Sequence, residues 1–212
     1  MDATLSGNIQ ELSANLTPDP NLNGTVKVQA AGEDVDQVSV VSDPNGDFRL
    51  TGVNRTLPLW VGVGPFDGDP ASTFVDTLQA VATPLTLPVQ LLVMPRSALD
   101  EIVFQGFPNG IDTTKGHAIL RFVDEQRMGI SGVSLVSPPA MDTNVAYDVG
   151  DTYSDQVTAT DLRGTMVLLN LRSVPYPGSA TRIGVNLRDI RHDVVVQLAD
   201  GAISVVTTVM PR

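Results

Sequence analysis

A chain of 212 residues, 42% hydrophobic and only 17% charged, has the length and apolar content of one or two globular domains. Its formal net charge is −11 and its only lysines are Lys27 and Lys115, which excludes nucleic acid as the natural partner and disfavours an anionic membrane surface. Absence of cysteine removes disulfides, thiolate zinc sites and thiol catalysis together, and no run reaches the roughly 18 apolar residues that span a bilayer.

Taken in chain order, strand signals dominate. The opening Met1-Asp2-Ala3-Thr4 carries no basic stretch followed by an apolar core, so no signal peptide is expected in this sequence. Apolar and polar residues alternate over 25–30, 37–41, 48–50, 59–63 and 89–93, each run short, rich in β-branched residues and bounded by Gly, Pro, Asn or Asp. Pro44-Asn45-Gly46-Asp47 reads as a tight hairpin turn, Pro presetting φ and Gly supplying φ > 0. Ser97-Ala98-Leu99-Asp100 offers a helix N-cap with an acidic residue at the third helical position, and Glu101-Ile102-Val103-Phe104 continues a short helix. Beyond it, strands are expected at 117–124, 130–136, 145–148, 155–160, 165–171, 181–187, 193–198 and 202–209, with Asp200-Gly201 as a hairpin signal before the last. The segments 12–24, 64–80, 137–155 and 172–180 read as the long loops, where function concentrates on a sandwich.

The chain also repeats itself. Val93-Met94-Pro95-Arg96 returns as Val209-Met210-Pro211-Arg212, and Ser42-Asp43-Pro44-Asn45-Gly46-Asp47-Phe48 has a counterpart in Thr160-Asp161-Leu162-Arg163-Gly164-Thr165-Met166. Two matches in one order at nearly one spacing point to two copies of a module of about 100 residues, longer than the roughly 20–50-residue period of solenoid repeats. The expected organisation is a first domain over 1–96, a connector with a short helix over 97–115 and a second domain over 116–212.

Asp43-Pro44-Asn45-Gly46-Asp47-Phe48-Arg49-Leu50-Thr51-Gly52-Val53 resembles the Asp-x-x-Gly-x-Phe-x-Leu-x-Gly-Val hairpin of carboxypeptidase regulatory-like domains, which are prealbumin-like (transthyretin-like) sandwiches. Gly116-His117-Ala118-Ile119-Leu120-Arg121-Phe122-Val123-Asp124 with Gly129-Ile130-Ser131-Gly132-Val133 is similar to the opening strands of the same family. The second copy departs at the hairpin, where Met166 stands for the aromatic residue. This resemblance implies an all-β fold of two tandem Ig-like or prealbumin-like antiparallel β-sandwich domains, and accessory, adhesive or structural roles on exported proteins with no catalytic residues. Collagen-adhesin B-type repeats, a related family, cross-link a Lys to an Asn on the last strand; 87–94 and 202–210 contain no Asn, so no such bond is expected from Lys27 or Lys115.

Candidate sites are few. Calcium takes oxygen ligands from closely spaced carboxylates, and Asp67 and Asp69 in one loop, with Asp76 downstream, and Asp148 and Asp151 in another are the candidates, with Glu33-Asp34-Val35-Asp36 a third group. None fits the twelve-residue calcium loop, and Asp and Gly are favoured in turns for backbone reasons alone. Tyr147, Tyr153 and Tyr176 fall in the long segments of the second half and form the one aromatic group able to line a shared surface for a protein or glycan partner. Trp60 sits mid-strand and reads as core, while His117 and His192 lack the neighbouring ligands of a metal site. Neither a nucleophile elbow, a His-Glu-x-x-His helix nor a phosphate loop occurs. The expectation is a non-enzymatic exported module for binding or scaffolding at a cell surface or in the periplasm, with no cofactor unless calcium. Its alternative is a carbohydrate- or calcium-binding accessory region of a larger secreted enzyme.

Overall fold

The computed structural model describes residues 3–31, 38–53, 59–69, 71–81, 88–108, 110–139 and 142–211. The chain divides into two compact units, Met1–Leu99 and Asp100–Arg212. In the first lie β1 (Ala3–Leu12), β2 (Pro18–Asp19), β3 (Lys27–Ala31), β4 (Ser39–Val41), β5 (Asp47–Val53), β6 (Leu59–Gly64), β7 (Phe74–Val75), β8 (Thr77–Val81) and β9 (Val89–Pro95). A helix, α1 (Arg96–Gly106), follows, and the second unit continues with β10 (Gly116–Val123), β11 (Ser134–Leu135), β12 (Asn144–Val149), β13 (Thr152–Ser154), β14 (Thr165–Leu171), β15 (Ser179–Leu187), β16 (Ile190–Leu198) and β17 (Ile203–Val209).

The first unit is a sandwich. One sheet runs β2–β1–β9–β7 with β5 also paired to β1, and the other runs β8–β6–β3–β4. Leu5, Ile9, Phe48, Leu50, Leu91 and Val93 of the former meet Val28, Val61, Val63 and Val81 of the latter in one apolar core. Alternation does the sorting: in β5, Phe48, Leu50 and Val53 point inward while Asp47, Arg49 and Thr51 are exposed. The second unit repeats the layering, with β13–β12–β14–β10–β17 against β11–β15–β16. Ala118, Leu120, Phe122, Met166 and Leu168 there meet Ile183, Val185, Leu187, Val194, Val196 and Leu198.

Neither sandwich is purely antiparallel. The opening strand of each unit pairs antiparallel with the strand after the repeated turn (β1 with β5, β10 with β14) and parallel with the closing strand (β1 with β9, β10 with β17). Parallel neighbours need a long crossover, so each unit closes only when its last strand returns beside its first. The approach of β1 to β9 is tight at Gly7, where an added Cβ would lie 1.8 Å from the Val89 carbonyl oxygen.

The repeated turns are built alike but are not hairpins. Gly46 and Gly164 take positive φ (83° and 66°) and donate their N–H groups to the Asp43 and Asp161 carbonyls. The strands on either side of 43–46 part company, β4 pairing with β3 and β5 with β1. Buried Ser42 and Thr160 hold the near side: Val26 N–H donates to the Ser42 hydroxyl at 3.2 Å and Val133 N–H to the Thr160 hydroxyl at 3.0 Å. Each hydroxyl residue returns its own N–H to the same partner's carbonyl. Asp200-Gly201 likewise leads from β16 to β17, strands of different sheets. Tight hairpins in the second unit include Leu187–Ile190, whose central Arg188 and Asp189 both take positive φ (51° and 64°), a conformation usually given to Asn-Gly.

Other differences have local causes. Residues 155–160 form no strand; at their end Thr160 donates its N–H to the Val133 carbonyl and accepts Gly132 N–H on its own. Of 130–136 only Ser134–Leu135 is a strand. The expected loop 64–80 contains β7 and β8. Its polar Gln79 is nearly buried and mimics a backbone unit, donating Nε2–H to the Leu92 carbonyl and accepting Leu92 N–H. Ser97 is no cap: α1 starts one residue earlier, directly from β9, and Arg96 N–H is taken by the Thr73 carbonyl.

Candidate functional site

Of the acidic loops, the one around Asp67 closes on itself. Asp67 accepts Asp69 N–H (2.9 Å) and the Ser72 hydroxyl (2.8 Å), and Asp69 accepts Ala71 N–H (2.8 Å). The Asp69 N–H, seconded by Ser72, holds the Asp67 carboxyl below its ordinary range. Asp76, downstream, accepts Phe66 N–H at 2.8 Å, and burial pushes its carboxyl up despite that bond. These are the side-chain-to-backbone turns that Asp favours.

Asp148 and Asp151 take different places. Asp148 is 0% exposed, and its two oxygens accept three backbone N–H groups, Asp161 (3.0 Å), Arg163 (2.8 Å) and Thr165 (2.8 Å). A buried carboxylate surrounded by donors is a clamp on the 161–165 turn. Asp151 lies exposed in the turn between β12 and β13. In the first unit Asp43 does the same work from inside its turn, accepting Asn45 and Asp47 N–H. Asp124 does so for Gln126 and Met128. Among the described residues no three or more His, Cys, Asp or Glu gather as a metal group would. The group at 33–36 lies outside the described residues.

The three tyrosines do not share a surface, which corrects that expectation. Tyr147 stands opposite Ser154 and Tyr153 opposite Asp148 in the β12–β13 register, so the two rings project from opposite faces of the sheet. Tyr147 is 6% exposed in the core of the second unit, and its hydroxyl accepts Leu135 N–H at 3.2 Å. Tyr153 is 2% exposed, with the Arg163 guanidinium 5.0 Å over its ring. Burial pushes its hydroxyl up to about 12. Gly106 of α1 comes so close that an added Cβ would lie 3.0 Å from the Ala146 Cβ and 3.1 Å from the Tyr153 Cβ. Only Tyr176, half-buried before β15, reaches solvent. The amphipathic rings that serve interfaces serve cores equally, and sequence spacing does not separate the two uses.

Sequence reasoning passed over the environment of His117. It is 1% exposed, and its Nδ1 accepts Asn170 N–H at 3.1 Å. Asn170 takes φ 62° inside β14, and its Oδ1 accepts Asp112 N–H at 2.8 Å. The β10–β14 register slips between Gly116 and Ala118 to make room. Lys115, at the end of the same segment, pairs with Asp142 and, at 3.9 Å, with Asp112. Surface concavities are modest. One of about 270 Å³ lies between the end of α1 and β12, lined by Phe107, Thr143, Asn144 and Asp155. Another of about 310 Å³ lies among Thr114, Lys115, Asp142, Arg172 and Ser173. Ligand pockets run roughly 300–1,000 Å³.

No family model matches the chain, and no curated protein matches it. Among solved structures, a Streptococcal ancillary pilin aligns over 99% of this chain and 68% of its own, at 13% identity and a TM-score of 0.25. A TM-score of that size bears on neither fold nor function, and the sandwich assignment rests on the two-sheet layering of each unit.

Proposed function

We propose that this chain is a non-enzymatic exported module that binds or scaffolds a protein partner, at a cell surface or in the periplasm. In this reading its units are tandem prealbumin-like copies resembling carboxypeptidase regulatory-like domains, joined through 97–115. The observation that carries it is how the chemically capable side chains are used. Asp148, Asp124, Asp43, Tyr147, Ser42 and Thr160 each hold a backbone N–H in place. Side chains so used make a rigid frame and leave partner contact to the exposed surface. The shared connectivity of β1, β5 and β9 with β10, β14 and β17 supports the tandem reading.

Leu162, 77% exposed in the second repeated turn, and Met128 beside it stand out as anchors for contact. Gly129 brings the two together, its position packing against the Leu162 carbonyl. Thermal unfolding with calcium, with EDTA and with a panel of oligosaccharides tests the proposal. Saturation of a native-state site at a hundredfold excess over Kd adds about 2.7 kcal/mol of stability, so an unchanged melting temperature in all arms supports the scaffold. A clear rise with calcium or one glycan overturns it in favour of an accessory region of a secreted enzyme.

A further inference from the structure

One sheet of the second unit ends on a strand with an open side. In the order β11–β15–β16, β16 pairs with β15 along Ile190–Leu198 and with no other strand among the described residues. The direction of its backbone groups follows from its neighbours. Val136 N–H donates to the Gly184 carbonyl, so Gly184 turns its backbone toward β11. Asp193, opposite Gly184, therefore stands in a non-hydrogen-bonded pair and turns its own N–H and C=O away from β15. The register is unbroken, so Arg191 and Val195 do the same, and a row of backbone donors and acceptors lies along the open edge. Further along, the Gln197 carbonyl is taken by the Ser204 hydroxyl. Ile190 is 62% exposed and Val195 41%, so the stretch 190–195 meets solvent.

We propose that β16 is a self-pairing edge, through which two copies of this chain associate as antiparallel strands with His192 on the two-fold axis. Charge selects that register. With His192 opposite itself, Arg191 stands opposite the partner's Asp193 and Asp193 opposite the partner's Arg191. Each is a narrow pair that exchanges two backbone hydrogen bonds, and opposite charges facing across it attract. The two adjacent registers that keep the hydrogen bonds place either Arg191 or Asp193 opposite itself, and like charges so placed repel. Charged side chains ordinarily guard an edge; here their order along the strand is self-complementary, as a two-fold interface requires. Ile190 comes opposite the partner's Val194 and gains apolar cover. Arg191 and Asp193 already bridge within the strand at 3.3 Å, but an exposed pair contributes little, so exchanging it across the axis costs little. The hairpin Ser179–Leu198 carries three arginines against two aspartates in a chain of net charge −11, so the acidic surface is interrupted where the copies meet. This deepens the binding-module reading, on which it rests, by naming a second copy as the partner.

A short edge buries less than the roughly 1,200 Å² of stable interfaces, so the dimer is weak. Sedimentation velocity on the intact chain, from about 10 μM to about 1 mM, covers that affinity range, and the dimer fraction should rise with concentration. Arg191→Asp sets carboxylates against the partner's Asp193 and should weaken association about tenfold or more. Adding Asp193→Arg in the same chain should restore it. Both side chains are exposed, so the variants should keep the wild-type melting temperature. Hydrogen exchange in the dimer should slow at Arg191, Asp193 and Val195 and stay unchanged in the rest of the second unit. A monomer throughout the range overturns the proposal. So does a dimer indifferent to Arg191→Asp, one that the double exchange fails to restore, or one whose slowed amides lie elsewhere. The scaffold reading is judged separately, since it falls to a melting-temperature rise with calcium or one glycan and not to a monomer.

Discussion

At the scale of single residues, the acidic side chains of this protein act mainly as acceptors for its own backbone. Asp148 is the clearest, holding three N–H groups with both oxygens buried. Asp148→Asn replaces an acceptor by a donor at one oxygen and should destabilise by about 1.5–3 kcal/mol, the usual worth of hydrogen bonds to a charged group. Urea unfolding checks this, and a clamp predicts the same loss with calcium as with EDTA. Tyr147→Phe removes one hydroxyl bond and should cost about 0.5–1.5 kcal/mol. Tyr153 supplies a pH test. Its folded-state value is raised to about 12 from the ordinary 10, so its contribution is complete below pH 10 and lost as pH climbs toward 12. At about 1.4 kcal/mol per unit the loss is on the order of 2–3 kcal/mol. Tyr153→Phe should flatten that alkaline slope in denaturant titrations, and an unchanged slope would assign it elsewhere. Carboxyl-rich turns were legible in the sequence, but their use as clamps was not, because a carboxylate among backbone donors and one awaiting a cation have the same local sequence.

At the scale of elements, most strands could be read from alternation, and the failures share a cause. Strand β14 matches its expected span of 165–171 because five β-branched or aliphatic residues are flanked by Gly164 and a polar turn. β8 was hidden because Thr77 and Gln79, polar residues on buried positions, take their partners from β9. Likewise the turns at 43–46 and 161–164 are legible as turns from Asp and Gly, while the passage of 43–46 between sheets, and the anchoring of both turns by Ser42 and Thr160 bonding backwards to Val26 and Val133, depend on distant partners. The parallel pairing of first and last strand left one mark, Gly7, which lets β1 approach β9. Gly7→Ala drives a methyl into the Val89 carbonyl, and overpacking of this kind costs about 1–3 kcal/mol or more. Chemical denaturation should show that loss. A neutral Gly7→Ala would mean that the two strands are not so closely paired.

At the scale of the whole molecule, 24 acidic against 13 basic groups leave a surface that repels itself. Salt screens such repulsion, with a Debye length falling from roughly 30 Å at 0.01 M to 8 Å at 0.15 M. The melting temperature should therefore rise over that interval, and a fall would show that attractive pairs dominate instead. Composition, charge and the absence of cysteine followed from the residues alone, as did the all-β character and the recurrence of Val-Met-Pro-Arg, since each depends on residue type and on order along the chain. Pairing of the first strand with the last, burial of Tyr147 and Tyr153 on opposite faces, and the bond between His117 and Asn170 were decided by the tertiary structure. Those contacts join residues far apart in the chain, so their geometry exists only after the sheets have closed.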